Sequence, residues 1–312
     1  MHILVVNDDG PPSRKLSPYV RPLVDALQDA GHQVSVAVPA QSRSWIGKAH
    51  IIGASLTATY VHPDLFLDDG TWTESAAKNL NLTTPPKTPT SSEEHLLPAE
   101  HEWVVVSNGT PASCAQLGIF ELFQDRGVID LVISGPNHGR NASTIYNLSS
   151  GTVGGALEAA TCGKRGIALS FGSKEEQALD VIRAAARLSA RLIEHLYRNW
   201  DERVELYNLN VPMRADVESR AVRYTRALPN VWSKGSLYAE VGAVNGGGKN
   251  GVACRQRQFQ WSTELSDIKR SLQESGEGTD ARTVLDGYTS VTPLLANFWH
   301  PTGFSGELKL DN

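Results

Sequence analysis

The sequence predicts an α/β fold: a Rossmann-like, three-layer α/β/α arrangement with a mostly parallel sheet, plus a C-terminal β-hairpin arm and wrap. Short apolar runs alternate with helical patterns through the first two thirds of the chain, which is typical of a parallel sheet covered by helices. The 312 residues suffice for one large domain. After about residue 213 the β/α rhythm stops and aromatic residues are spread through the remainder.

The individual elements follow from the spacing of apolar residues. Ile3–Val6 reads as the first strand, and in the helix that follows, Tyr19, Leu23 and Leu27 share one face before a glycine stop at Gly31. The remaining predicted strands are Val34–Val38, Glu102–Ser107, Asp130–Gly135, Gly166–Ser170 and Glu205–Pro212, with helices beginning near Pro111 and Gly151 and a long amphipathic helix from Leu179 to Leu196.

We interpret residues 1–312 as a single domain with two parts. Residues 1–212 form the α/β core, and residues 213–312 form the C-terminal arm, hairpin and tail. Residues 79–94, rich in Thr, Pro and Ser, predict a mobile surface insertion. The run "NGGGKNG" at 245–251 predicts a flexible turn, the tip of a hairpin.

Composition excludes several classes of protein. The net charge of −5 argues against nucleic-acid binding, which requires a basic face. No apolar run approaches membrane-spanning length, and "MHILVVNDDG" lacks the basic start of a signal peptide. Three widely spaced cysteines predict reduced thiols rather than a disulfide framework. We therefore expect a cytoplasmic protein that binds neither nucleic acid nor membrane.

Polar side chains follow several predicted strands. Asp8 and Asp9 come directly after the first strand, Ser42 and Ser44 follow the second, and Asn137 follows a later one. In parallel sheets such residues meet beyond the carboxyl ends of the strands. Adjacent carboxylates need a counter-charge or full exposure, and an all-oxygen set suits Mg²⁺, Mn²⁺ or Ca²⁺. Alternatively, Asp-Asp-Gly is only a turn that precedes a helix.

A second motif suits an anion. "SSGTVGGALEAA", from Ser149 to Ala160, places small and hydroxyl residues at the start of a helix, where free N–H groups and the helix dipole favour phosphate. Close packing of helix against strand requires small residues equally, so this alternative stays open.

Other candidates carry two interpretations each. His138 is a candidate general acid or substrate contact, or a polar surface residue. Glu158 is expected on the helix surface, with support of the site as the alternative. Trp45, Trp72 and Tyr146 are candidates for stacking on a base, or for packing.

With these motifs in place, the chain resembles the SurE survival-protein family of metal-dependent nucleotide phosphatases. The resemblance runs in order through "ILVVNDDG", "VPAQSRSWIGKA", "GTPASC", "DLVISGPNHGRN", "SSGTVGGALEA", "IALS", "LYNLNVP" and "GYTSVTPL". The variants "GPPS", "RSWIGKAH" and "PNHGRN" are similar to the fungal branch, in which some members are fused to a tubulin-tyrosine-ligase-like domain.

The resemblance implies a specific chemistry. It implies hydrolysis of nucleoside 5′- and 3′-monophosphates, with some members also using polyphosphate, by one Mg²⁺ or Mn²⁺ per subunit in a homodimer or tetramer. It also implies a hairpin exchanged between subunits, here between about Val222 and Trp261. The implied metal ligands are Asp8, Asp9, Ser44 and Asn137, with Asp8 and Asp9 also catalytic, and the implied phosphate or substrate contacts are Ser150, Gly151, Thr152 and Asn141.

The chain departs from the family pattern at two places. Ser113 stands where many members carry Asp, and the loop "PPSRKLSPY" replaces a commoner glycine-containing form.

Two rival functions remain. One rival is a non-catalytic nucleotide- or partner-binding module of a larger assembly. The other is a dinucleotide-dependent oxidoreductase, which the absence of GxGxxG after the first strand disfavours.

Overall fold

The protein is described from a computed structural model, which describes residues 1–73, 102–232, 236–246, 254–262 and 265–297. The predicted insertion at 79–94 and most of the predicted turn at 245–251 lie outside the described residues. Among the described residues, no helix has the length and apolar character needed to cross a membrane.

The strands and helices predicted for residues 1–212 are all present, and the structure adds a strand at Thr57–Val61 and a short helix at Thr144–Ser149. The strands are β1 (His2–Val6), β2 (Gln33–Pro39), β3 (Thr57–Val61), β4 (Trp103–Ser107), β5 (Leu131–His138), β6 (Arg165–Phe171), β7 (Leu206–Val211), β8 (Val222–Tyr224), β9 (Tyr238–Gly246), β10 (Cys254–Trp261) and β11 (Thr289–Leu294). The α-helices are α1 (Val20–Asp29), α2 (Pro111–Leu117), α3 (Thr144–Ser149), α4 (Gly151–Thr161), α5 (Leu179–Arg198), α6 (Ser266–Gln273) and α7 (Asp280–Leu285).

Nine of the described strands form one sheet in the order β3-β4-β2-β1-β5-β6-β7-β11-β8. The pairs from β4 to β7 are parallel, whereas β3 and β11 run antiparallel to β4 and β7. The mostly parallel sheet confirms the predicted fold class. The chain builds outward from β1 on one side and then returns to place β5 on the other, so a topological switch point lies between β1 and β5.

The first strand shows how both faces of the sheet are buried. Ile3 and Val5 belong to the larger core, under α1 and α5, whereas Leu4 and Val6 belong to a second core on the opposite face. This alternation follows from the two-residue period of a strand. Each face is covered by helices, which gives the three predicted layers.

Local signals place the helix that begins at Pro111. The Thr110 side chain accepts from the Ser113 N–H, and the Ser113 hydroxyl accepts from the Thr110 N–H, which forms a capping box. Pro111 occupies the first turn, where its missing N–H costs nothing. Ser113, the residue that departs from the family pattern, therefore caps a helix in this chain.

The C-terminal region wraps back onto the core. The strands β9 and β10 form an antiparallel hairpin within the range predicted for the arm. Fully buried Asp280 accepts hydrogen bonds from the N–H groups of Ser143 (2.8 Å) and Leu228 (2.9 Å). This carboxylate therefore ties the wrap to the loop before α3.

Candidate active site

The two aspartates lie at the topological switch point of the sheet. Asp8 and Asp9 follow β1, and Asn137 lies near the end of the neighbouring strand β5. Both carboxylates are buried, with 2% and 7% of their surfaces exposed. Exposure to water therefore does not relieve their mutual repulsion, which leaves a counter-charge or protonation of one carboxylate.

Each carboxylate has one oxygen held by a hydrogen bond. The Thr152 hydroxyl donates to Asp8 Oδ1 at 2.6 Å, and the backbone N–H of His138 donates to Asp9 Oδ2 at 2.7 Å. The donors come from the start of α4 and the end of β5. The aspartates are thus oriented by α4 and by β5.

Burial raises the pKa values of both carboxyl groups. Desolvation raises the pKa of Asp8 to about 6, and desolvation together with the charge of Asp8 raises the pKa of Asp9 well above its usual value. The Lys174 ammonium acts on both carboxylates in the opposite direction, without cancelling the shift. Two buried carboxylates with raised pKa values fit a site for a divalent cation.

The first turn of α4 approaches Asp8 very closely. A β-carbon on Gly151 would lie 2.8 Å from Asp8 Cβ, a separation that real side chains do not reach. The preceding Ser150 caps the helix by accepting from the Val153 N–H at 3.1 Å. The glycine therefore allows the positive end of the helix dipole to face the carboxylate pair.

Asn137 is oriented at an irregularity of β5. The pairing of β5 with β6 shifts between Ser134 and Asn137, where the Gly135–Pro136 peptide bond is cis. The Asn137 side-chain nitrogen donates to the Gly139 carbonyl at 2.5 Å. Because this bond uses the nitrogen, the side-chain oxygen is the atom left to act as a ligand.

The loop that carries Ser44 is held by hydrogen bonds to Asp8 and to Ser149. The Arg43 N–H donates to the Asp8 carbonyl at 2.7 Å, and the Gly47 N–H donates to the Ser149 carbonyl at 2.8 Å. Ser44 itself is exposed, and its hydroxyl lies 3.2 Å from that of Ser42.

A cavity of about 720 Å³ lies over this edge of the sheet. It brings together six of the predicted site residues: Asp8, Ser44, Asn137, His138, Asn141 and Ser150. The cavity lining does not include Asp9, Gly151 or Thr152, but each of them contacts a residue that lines it. Asp9 contacts His138, and Gly151 and Thr152 contact Asp8. An all-oxygen donor set of carboxylates, a hydroxyl and an amide suits a hard cation such as Mg²⁺ or Mn²⁺.

Asn141 has a structural role beside its place in the cavity. Its backbone N–H donates to Asn210 Oδ1 at 2.8 Å, and its side-chain nitrogen donates to the Ser170 hydroxyl at 3.0 Å. These bonds fix the loop after β5 against the ends of β6 and β7. The side-chain oxygen of Asn141 and its second amide hydrogen are left for a substrate.

His138 is half-buried at the end of β5 rather than on an open surface loop. Its ring packs edge-on against Tyr19, with centroids 5.2 Å apart. Burial, followed by the charge of Lys174, lowers the pKa of His138, which favours the neutral ring. A second cavity of about 870 Å³ begins on its other side and is lined by Arg14, Lys15 and Arg21 among others.

Glu158 corrects one expectation from the sequence. It is 3% exposed rather than on the helix surface, and its carboxylate lies 2.6 Å from Lys48 Nζ and 3.2 Å from His50 Nε2. Burial raises the pKa of Glu158, but the hydrogen bonds and charges of Lys48 and His50 outweigh burial and lower it overall. The buried carboxylate therefore anchors the segment that follows Ser44.

Lys174 is a residue of the site that the sequence reasoning missed. It follows β6 and lines the cavity beside Asn137 and His138. The segment around it, "FGSKEEQ", has no apolar period. Only its position beyond the carboxyl end of a predicted strand could have indicated it.

Comparisons with known proteins identify the family. A family model described as Survival protein SurE matches residues 3–234. The chain belongs to the SurE family. The resemblance seen in the sequence motifs is thereby confirmed.

Individual relatives extend the comparison. The chain is 30% identical over 305 residues to the 5′-nucleotidase SurE of Ruegeria pomeroyi, covering 95% of each protein. It is 32% identical over 297 residues to the 5′-nucleotidase SurE of Rhodopirellula baltica, covering 95% of this chain and 93% of that protein. It is also 32% identical over 333 residues to PBY1 of Saccharomyces cerevisiae, described as a probable tubulin–tyrosine ligase.

The yeast relative is much longer than the match. The alignment takes in 99% of this chain but 43% of PBY1. Among solved structures, the crystal structure of the SurE protein from Aquifex aeolicus aligns with a TM-score of 0.59. It covers 96% of this chain and 95% of that one at 23% sequence identity, a likeness that shows the shared fold.

Proposed function

We propose that this protein is a divalent-metal-dependent phosphomonoesterase that hydrolyses nucleoside 5′- and 3′-monophosphates to nucleoside and phosphate. The observation that carries the proposal is the buried Asp8–Asp9 pair, of which Asp8 both contacts the first turn of α4 and lines the cavity. A carboxylate pair and a helix N-terminus are suited to hold, respectively, a cation and the phosphate that it contacts.

In this proposal Asp8, Asp9, Ser44 and Asn137 hold one Mg²⁺ or Mn²⁺ per subunit. When bound, such a cation would neutralise charge on a phosphate oxygen. It would also lower the pKa of a bound water molecule, so that the water ionises near neutral pH. Thr152 and the His138 N–H hold one oxygen of each carboxylate, so the other oxygen of each is available to the cation.

The chain's own groups supply the remaining chemistry. N–H groups of the first turn of α4, near Gly151, donate to the phosphoryl oxygens as negative charge develops on them. Because both carboxylates serve as ligands, we assign the attack on phosphorus to a water molecule rather than to Asp8 or Asp9. The P–O ester bond breaks as the water oxygen bonds to phosphorus. The water gives up one proton and the leaving oxygen takes up one, so the products are the nucleoside and phosphate.

The names of the relatives support the nucleotidase assignment. Two proteins covered over more than 90% of their length are named 5′-nucleotidases. We extend the proposal to a cytoplasmic homodimer or tetramer. The competing function is the non-catalytic binding module, which the different name of the yeast relative favours.

Phosphate release decides between these functions. The purified protein is incubated with nucleoside 5′- and 3′-monophosphates and p-nitrophenyl phosphate, in Mg²⁺, in Mn²⁺ and in EDTA. We expect release that depends on the metal and is highest for nucleotides. Folded protein that binds metal but releases no phosphate from any substrate would favour the binding module.

A further inference from the structure

Two aromatic residues beside the carboxylate pair have no role in the chemistry proposed so far. We infer that Trp45 and Tyr146 form a stacking platform for the base of the substrate, which makes them determinants of specificity for base-bearing phosphate esters. This inference rests on the proposed function and assigns a place to the part of the substrate that does not react.

The platform and Asp8 line the same cavity. Trp45 directly follows Ser44, and both Trp45 and Tyr146 line the cavity together with Asp8 and Asn137. The two rings are half-buried, with centroids 5.7 Å apart and planes inclined at 61°. Each therefore retains surface toward the cavity, where a planar ring would find an aromatic partner.

The cavity is lined by both aromatic and charged side chains, the acidic Asp8 and Glu175 among them. Arg140, Lys174 and Lys269 line it as cationic side chains, while the aromatic rings belong to the loop of Ser44 and to α3. A ligand with a planar part and an anionic part can use both the aromatic and the cationic side chains. A nucleoside monophosphate has both, whereas a sugar phosphate has only the anionic end.

Trp45 is held in an unfavourable backbone conformation. Its φ of +65° lies in the left-handed region, which a bulky side chain rarely adopts. Such conformations persist where the surroundings enforce them, and they concentrate at functional sites. The enforcing contacts are the hydrogen bonds of Arg43 and Gly47 on either side. The chain keeps a tryptophan where glycine would be easier to accommodate.

The platform is supported by the C-terminal arm. The Trp45 ring contacts Trp261 of β10 at 5.3 Å and Trp232 at 6.3 Å between centroids. Tyr238 of β9 packs in turn against Trp261 at 5.6 Å. A ring fixed in this way loses little rotational freedom when a base stacks on it. A purely structural role, in which Trp45 only anchors the hairpin, is the alternative that the experiment must exclude.

The test compares Trp45→Gly, Trp45→Phe and the wild type. Glycine suits a φ of +65° and removes the ring without straining the loop, and phenylalanine keeps an aromatic surface. Trp72→Phe is the matched control, because Trp72 packs against Phe66 in the main core rather than in this cavity. Circular dichroism and thermal melting verify the fold of each variant.

Two readouts are measured, KM for adenosine 5′-monophosphate against ribose 5-phosphate, and the affinity for adenosine by calorimetry. We expect Trp45→Gly to raise the nucleotide KM and weaken adenosine binding about tenfold, equivalent to about 1.4 kcal/mol. The KM for ribose 5-phosphate should stay within about twofold, Trp45→Phe should lie between, and Trp72→Phe should match the wild type.

The outcomes separate this inference from the proposed function. Equal changes in KM for both substrates, or unchanged adenosine binding, would overturn the stacking platform and leave the hairpin-anchoring role. If the wild type binds adenosine through Trp45 but releases phosphate from neither substrate, the proposed hydrolysis fails while the platform stands.

Discussion

Gly151 lies so close to Asp8 that a β-carbon on the glycine would fall 2.8 Å from Asp8 Cβ and 3.0 Å from a methyl carbon of Ile46. The first helical turn after Ser150, the end of β1 and the loop of Ser44 therefore meet at one point. A small movement at this point changes the position of the first turn of α4 relative to the carboxylates. The site thus depends on a missing side chain as much as on those present.

Gly151→Ala should damage catalysis more than stability. The added methyl group must push α4 away from Asp8, which costs about 1–3 kcal/mol of folding free energy and misplaces the N–H donors. We expect kcat to fall by at least about tenfold, since a lost oxyanion donor alone costs about 3 kcal/mol. Gly276→Ala is the control, because no atom lies within 4 Å of its added carbon. Equal activity in the two variants would refute the close-approach argument.

Thr152→Val should weaken the binding of the metal ion without changing how the helix packs. The isosteric valine removes the hydroxyl that donates to Asp8 at 2.6 Å and leaves a buried acceptor unpaired, at a cost of about 1–3 kcal/mol. We expect the metal concentration for half-maximal activity to rise. Thr152→Ser keeps the hydroxyl and should behave like the wild type. If valine and serine have the same effect, the hydrogen bond is not what matters.

Glu158 should make part of the folding stability dependent on pH. Its pKa in the folded protein is lowered overall, so its contribution is present above the unfolded value of about 4.3 and is lost as pH falls through the folded value. We expect Glu158→Gln to lose about 1 kcal/mol in urea denaturation at pH 7, a figure reduced because Lys48 and His50 are each more than a third exposed. The difference from the wild type should shrink below about pH 4.

Glu218→Gln is the control for that measurement. Glu218 pairs with Arg187 and Arg191, whose side chains are 56% and 62% exposed, and such pairs contribute little. Its unfolding free energy should change less than that of Glu158→Gln at pH 7. A Glu158→Gln difference that is constant with pH would mean that packing, not charge, is responsible.

Asp280→Ala should loosen the C-terminal wrap. The substitution leaves the N–H groups of Ser143, Leu228 and Ala281 without their acceptor. We expect a loss of at least about 2 kcal/mol in the free energy of unfolding, measured by urea denaturation, and faster proteolysis after residue 213. Asp286→Ala, which removes an exposed partner of Arg282, should change little. Comparable losses in both would mean that burial at Asp280 is unimportant.

The strands and helices of the core were predictable because their sequences carry strong local periods. Val34 and Val38 bound an apolar run that folds as β2, and Leu188 and Leu192 lie on the buried face of α5. The carboxyl-end rule likewise predicted that Asp8, Ser44 and Asn137 would meet, since it depends only on the strands being parallel.

Contacts between distant residues were not predictable in the same way. The burial of Glu158 depends on Lys48 and His50, more than a hundred residues earlier in the chain. Thr152 was expected to contact phosphate, yet its hydroxyl is committed to Asp8. No local pattern records these pairings, because each is made only when two separate elements pack together.

The proposed metal site is tested by phosphate release from a nucleoside 5′-monophosphate by Asp8→Asn and Asp9→Asn in Mg²⁺ or Mn²⁺. Asn is close to Asp in size but neutral, so it removes the charge that holds the cation. Asp125→Asn, an exposed substitution, is the matched control. We predict that both site variants lose metal-dependent release while folding normally and that the control keeps it. Undiminished release by Asp9→Asn would contradict the account.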